Sequence, residues 1–198
     1  MVVTKVKQIK SVNKLADGIK YIEDGAKTIG TELIDSDLNF PVKVVDGQIV
    51  SQLVSGNLVI DVESAYSEFM MLKQLANLEK GRPINNEELV ENDVLAHHLI
   101  QSFSPEDNLT PEQVHEIGRK TALELTGGSH QFVIATHMDK GHLHNHIYIN
   151  STNSVTLNKF RWQKGTKKAL EQISDKYADL AGAKIIDRQN QLGHKEYS

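Results

Sequence analysis

His137-Met138-Asp139-Lys140-Gly141-His142-Leu143-His144-Asn145-His146-Ile147-Tyr148-Ile149-Asn150 contains four of the nine histidines in this 198-residue chain. Its flanks are apolar and β-prone: Phe132-Val133-Ile134-Ala135 before it, and Ile147-Tyr148-Ile149 within its end. Gly141 with its polar neighbours marks a turn, so the stretch reads as a β-hairpin. Successive side chains of a strand point to opposite faces. His142, His144 and His146 therefore share a face if the second strand begins that early. His137, near the end of the first strand, can reach the same place across the hairpin. Neutral imidazoles at this spacing suit a metal ion. A lone strand histidine is usually a satisfied polar residue, but clustered imidazoles without a ligand would repel one another once protonated. The absence of cysteine excludes thiolate ligands and disulfides.

A chain of this length fits one domain, here residues 1–198, with an insertion at about 29–92. An apolar fraction of 39% and a charged fraction of 24% are those of an ordinary globular protein. No apolar run approaches a membrane span and nothing at the N-terminus resembles a signal peptide, so a cytoplasmic protein without membrane insertion is expected. The net charge of -4 argues against a polyanionic partner only as an average, because the acidic residues concentrate between Glu32 and Asp93.

Working outward from the hairpin, Thr110-Pro111-Glu112-Gln113 has the form of a helix start, with a helix to about Thr126 and a stop at Gly127-Gly128. Val94–Phe103 reads as a buried strand ended by Pro105. Residues 2–9 alternate and predict a strand. Ser11 then caps a helix to about Asp24, with Val12, Leu15, Ile19 and Ile22 as its buried stripe. Val42–Val45 and Gln48–Ser51 flank Asp46-Gly47, a hairpin signal. Residues 61–80 predict an amphipathic helix with Tyr66, Phe69, Met70, Leu72 and Leu75 inward. Residues 85–92 read as a short helix or loop. A last helix over 165–182 has Leu170, Ile173, Tyr177 and Leu180 inward, and Ala183–Ile186 reads as an edge strand. The fold class is α+β, a central antiparallel sheet flanked by helices.

Three separated segments carry a family resemblance: Tyr21 within KYIEDGAKT, His97–Phe103 (HHLIQSF), and His137–Asn150. In this order they resemble the three motifs of conjugative relaxases of the MobA/VirD2-like (MOB-P) mobilisation-nuclease family, especially those of Gram-positive conjugative plasmids. The resemblance covers essentially the whole chain. It implies the HUH endonuclease fold and site- and strand-specific nicking of DNA at a plasmid transfer origin. The family's nucleophile maps onto Tyr21, which becomes joined to the 5′ phosphate. Its three metal ligands map onto His137, His144 and His146, leaving His142 as a possible additional imidazole. Asn145 departs from the family's hydrophobic spacer between two histidines. His142-Leu143-His144 fits that name better, but Ile147-Tyr148-Ile149-Asn150 aligns with the family's apolar strand and keeps His144 and His146.

The chemistry agrees with these parts. A phenol of ordinary pKa, about 10, attacks poorly unless activated. Asp139 either accepts its proton or orients a ligand histidine, unless it is simply a turn residue. The family is generally described with Mg or Mn, whereas three imidazoles alone suit Zn, Mn, Co or Ni better than Mg. Lys159, Arg161, Lys164, Lys167 and Lys168, with Trp162 among them for base stacking, form a candidate DNA-binding cluster; alternatively they are a solvated helix start with a core tryptophan. Lys5, Lys7, Lys10, Lys14 and Lys20 are a weaker set. Ser102 is the motif II residue expected to touch DNA, while His97 and His98 support the ligands or belong to the core.

Implied partners are single-stranded transfer-origin DNA, an accessory DNA-binding protein and the coupling protein of a type IV secretion system. The chain is either a complete small relaxase or a catalytic fragment. A rolling-circle replication initiator shares the chemistry but usually places its tyrosine after the histidines. A metal-stabilised DNA-binding module without catalysis is the third reading.

Overall fold

A computed structural model describes residues 2–22, 42–45, 48–51, 53–82, 93–138 and 140–185. In chain order these form β1 (Val2–Ile9), α1 (Val12–Ile22), β2 (Val42–Val45), β3 (Gln48–Ser51), β4 (Val54–Asn57), α2 (Ala65–Glu79), β5 (Ala96–Phe103), a 3-10 turn (Pro105–Asp107), α3 (Pro111–Thr126), β6 (His130–His137), β7 (His144–Asn153) and α4 (Thr166–Leu180). The main sheet has the order β1-β5-β7-β6-β4, and every pairing is antiparallel. The β2–β3 hairpin forms a separate two-stranded sheet in the register that Asp46-Gly47 predicts. The expectations for residues 85–92 and Ile186 lie outside the described residues.

The sheet is buried on both sides. Leu15, Ile19 and Ile22 of α1 and Phe69 and Met70 of α2 pack with Val133, Ala135 and Tyr148 on one face. Phe132, Ile134, Ile147 and Ile149 point the other way, towards Ala122 of α3 and Leu170 of α4. Ser11 Oγ accepts from Lys14 N (3.4 Å) at the start of α1. The predicted capping box of α3 is complete: Thr110 Oγ1 accepts from Gln113 N, and Gln113 Oε1 accepts from Thr110 N.

Two helices turn differently from their hydrophobic patterns. On α2, Leu75 is 47% exposed while Lys73 is buried. Lys73 Nζ donates to Asn150 Oδ1 (2.6 Å), Ser151 Oγ (2.9 Å) and Thr152 Oγ1 (3.2 Å), so all three ammonium protons find oxygens at the end of β7. On α4, the buried positions are Leu170, Ser174 and Ala178, and Leu180 is 77% exposed. Their spacing of four is one helix face, and its small side chains admit the Gln101 amide, which donates to Ser174 Oγ. Residues 183–185 form no strand. Instead Ala183 is buried, its N–H bonds the Ala178 carbonyl, and Lys184 N–H donates to Asp107 Oδ1.

A buried polar layer ties β5, β6 and β7 to α3 and α4. Asn145 Oδ1 accepts from Thr136 Oγ1 (2.6 Å), and its Nδ2 donates to Gln101 Oε1 (3.1 Å) and the Val114 carbonyl (2.7 Å). Gln101 Nε2 continues to Thr121 Oγ1, and His115 joins Thr136 to Ser55. Gly118 lets α3 approach this close: a Cβ there would lie 2.4 Å from Asn145 Nδ2.

Burial, aided by the positive charge of Lys159, lowers the Lys73 ammonium from 10.5 to about 7. The unfolded chain therefore binds more protons than the folded one between these values, and stability rises with pH across that window. Thermal unfolding from pH 7 to pH 10 should show a rise in midpoint that Lys73→Met reduces; equal slopes in both proteins would refute the assignment.

Candidate metal centre and nucleophile

The histidines meet at the end of the hairpin that joins β6 to β7. His137 pairs directly with His144, and Ala135 with His146. One ligand nitrogen from each of His137, His144 and His146 lies within 4.8 Å of the others. This is within reach of a shared cation after small side-chain adjustments, and imidazole is a good ligand for divalent transition metals.

Hydrogen bonds select which nitrogen each ring offers. His137 Nε2–H donates to the Ile22 carbonyl (3.0 Å), which leaves Nδ1 with the lone pair. His144 Nδ1–H donates to the His142 carbonyl (3.4 Å), leaving Nε2. His146 Nδ1 lies 2.9 Å from His98 Nε2. In the metal-competent form His146 donates in this bond, so its Nε2 carries the lone pair. Metal-bound histidines are commonly oriented by such partners on the other ring nitrogen. Burial lowers the His146 pKa to about 2, and any charge on the neighbouring His137, His98, His144 or Lys140 lowers it further, so the ring is held neutral.

His142 has a different part from the one its spacing suggests. β7 begins at His144, so His142 lies in the connection, outside the strand alternation. It contributes its carbonyl to His144, while its own ring sits 5.3 Å from that of His144 and outside the three-nitrogen cluster. Asp139 lies outside the described residues.

Tyr21 occupies the last turn of α1 and is 52% exposed. Its ring centroid is 6.0 Å from that of His137, in an edge arrangement. Ile22, the next residue, supplies the carbonyl that His137 binds. Tyr148 is buried beside the cluster, and burial raises its phenol to about 12.

The comparisons with known proteins agree with the geometry. Residues 45–182 match the MobA/VirD2-like nuclease domain of relaxases. The chain belongs to the relaxase family. The relaxase domain is 42% identical to the group II intron-interrupted relaxase LtrB of Lactococcus lactis subsp. cremoris, over 100% of this chain and 40% of that protein. It is 34% identical to protein rlx of Staphylococcus aureus, over 67% of this chain and 37% of that protein. The chain thus spans well under half the length of these relatives.

The sheet divides the other proposed contacts of the relaxase domain. Ser102 pairs opposite His144, and Ile100 opposite His146, so Ser102 shares the ligands' face. By the same register Lys5 and Lys7 lie on that face of the edge strand β1, and both are exposed. Lys7 pairs directly with His98. Trp162 and Lys167 line a groove of about 520 Å³ with Leu170 and residues 4–8 of β1, Lys5 and Lys7 included, so the groove lies along the β1 edge of the sheet. Trp162 is half-buried, 5.8 Å from the His97 ring. Arg161, Lys164 and Lys168 are exposed, while Lys159 forms an ion pair with Asp93. Trp162 itself packs on the side of the sheet away from the histidines, and the groove at the β1 edge brings it and Lys167 together with Lys5 and Lys7.

Gly18 and Tyr148 lie against the centre without being singled out in the sequence. Of the two readings open for His98, strand pairing favours the first, since it sets His98 beside Tyr148 and next to His146. No helix among the described residues is long and apolar enough to cross a membrane.

The ligand assignment separates two histidines that are adjacent in the alternation. His144→Ala should weaken Mn binding by more than about tenfold, since even loss of an outer partner commonly costs 10–100-fold. His142→Ala, which keeps the carbonyl, should retain affinity. Calorimetric titration with Mn checks both, and equal losses would place His142 among the ligands.

Proposed function

We propose that this relaxase domain nicks one DNA strand at a plasmid transfer origin through Tyr21, leaving a 5′-phosphotyrosyl link that can be resealed. The observation that carries the reading is the placement of an exposed phenol 6.0 Å, ring to ring, from a histidine of the three-imidazole cluster. A phosphate group can be presented to both.

In the proposed step the Tyr21 oxygen attacks phosphorus as its proton leaves. Asp139, two residues after His137, is the proposed proton acceptor. A phosphorus–oxygen bond to Tyr21 forms, and the bond to the 3′ oxygen breaks. That oxygen takes a proton and becomes a 3′ hydroxyl. The number of phosphate ester bonds is conserved, so attack by the 3′ hydroxyl on the phosphotyrosine restores the strand and frees Tyr21. The chain's role is to align nucleophile and phosphate and to hold the reacting group. Ser102, Lys5 and Lys7 would contact the DNA backbone on the ligand face, and protonated lysines favour a polyanion there. The cluster of Lys159, Arg161, Trp162, Lys164, Lys167 and Lys168 would meet a further part of the DNA, reached across the groove that Trp162 and Lys167 share with Lys5 and Lys7. A divalent ion, Mg or Mn, held by His137, His144 and His146 would draw charge from a non-bridging phosphate oxygen.

The biological setting follows as part of the same proposal. The domain would act in the cytoplasm on single-stranded origin DNA, with an accessory DNA-binding protein, and deliver the strand to the coupling protein of a type IV secretion system.

Incubation with single-stranded transfer-origin DNA and Mn should give a protein–DNA adduct that survives denaturation. Tyr21→Phe and chelation should each abolish it. An adduct that persists in Tyr21→Phe would move the nucleophile elsewhere. DNA binding without any adduct in the native protein would favour a non-catalytic module.

A further inference from the structure

We propose that Tyr148 is the spacer that fixes helix α1, and hence Tyr21, at its distance from the metal centre, with Gly18 as the place on the helix that receives it. The inference rests on the proposed role of Tyr21 and concerns what positions that side chain. Gly18 lies three residues before Tyr21 in α1. A Cβ at position 18 would lie 2.3 Å from Tyr148 Oη, 2.8 Å from Cζ and 3.0 Å from Cε1. No alanine could occupy this position unless the helix or the phenol moved. Glycine weakens a helix interior relative to alanine, so this close approach gives it a physical reason.

The other side of the phenol is fixed by the metal centre's own support. Tyr148 follows His146 by two residues and points to the same face of β7. Its ring stacks on His98, with centroids 4.2 Å apart and planes inclined by 16°. His98 in turn meets His146 through the 2.9 Å hydrogen bond. A continuous contact path therefore runs from the metal ligand through His98 and Tyr148 to the backbone of α1. The second connection, from His137 to the Ile22 carbonyl, lies four residues further along the helix. Tyr21 sits between the two, so its position depends on both. Tyr148 and Gly18 are positioning residues; neither needs to touch the phosphate.

A merely structural contact would alter stability without specifically separating Tyr21 from the metal. The test uses the full chain with Mn and selectively labelled tyrosines. It measures Mn affinity, relaxation of the Tyr21 ring signals by bound Mn, and the rate of adduct formation. Gly18→Ala should retain Mn affinity, weaken the relaxation at Tyr21 and slow adduct formation by about 10–100-fold, the scale expected from a misplacement near 1 Å. Adding Tyr148→Phe removes the nearest conflicting atom and should recover part of both signals. Native relaxation and rate in Gly18→Ala, or no recovery in the double variant, would overturn the proposal. If Gly18→Ala does not fold, Tyr148→Leu removes the spacer from the sheet side; it must change relaxation at Tyr21 while Mn binding persists, and an unchanged signal would overturn the proposal. If no protein forms an adduct, the reading of Tyr21 as nucleophile fails, while the relaxation measurements still decide whether Tyr148 sets its position.

Discussion

The bond from His137 to the Ile22 carbonyl links the two halves of the centre. It holds the backbone of α1 at Ile22, beside Tyr21, and also chooses the nitrogen that His137 offers. The second consequence follows because an imidazole has two distinct nitrogens, so a bond at one leaves the other with the lone pair. A change at either end of this bond would alter the phenol's approach and the ligand geometry together. The candidate ligand cluster and the proposed nucleophile are thus physically coupled even though their residues lie more than a hundred positions apart.

The sheet gives the two sides of the hairpin different tasks. On one side alternate residues supply His144, His146 and Tyr148; on the other, Asn145, Ile147 and Ile149 enter the packed layer beneath α3 and α4. Side chains needing an accessible lone pair occupy the first side. Groups whose polar atoms are satisfied inside the fold occupy the second. The polar Asn145 between the two ligands does not weaken the core, because each of its donor and acceptor contacts is met by another buried group.

Much of this arrangement was legible in local sequence. The alternating residues of β1, the capping box at Thr110 and the apolar strands flanking the histidines each contain their own instructions. The grouping of His137, His144 and His146 could likewise be read from a hairpin and a resemblance together. The position of His142 outside the strand could not be read until the first residue of β7 was known, since the start of the strand decides which positions share the alternation. β4 was not visible: Val54-Ser55-Gly56-Asn57 has little apolar periodicity and gains its place by pairing with β6. Lys73 was equally concealed, because the oxygens that make its burial possible lie on a distant strand. Trp162 kept two readings in sequence, and packing beside His97 and Leu170 places its indole away from the ligand face.

Asn145 has a further consequence for assembly of the hairpin. Moving β7 by one residue would turn its imidazoles towards α3 and α4 and send the carboxamide to the opposite side. No single compensating rotation could then satisfy the Thr136 hydroxyl, the Gln101 amide and the Val114 carbonyl. The amide consequently acts as an alignment key: its hydrogen-bond pattern discriminates against a shifted hairpin before any cation or DNA has been encountered.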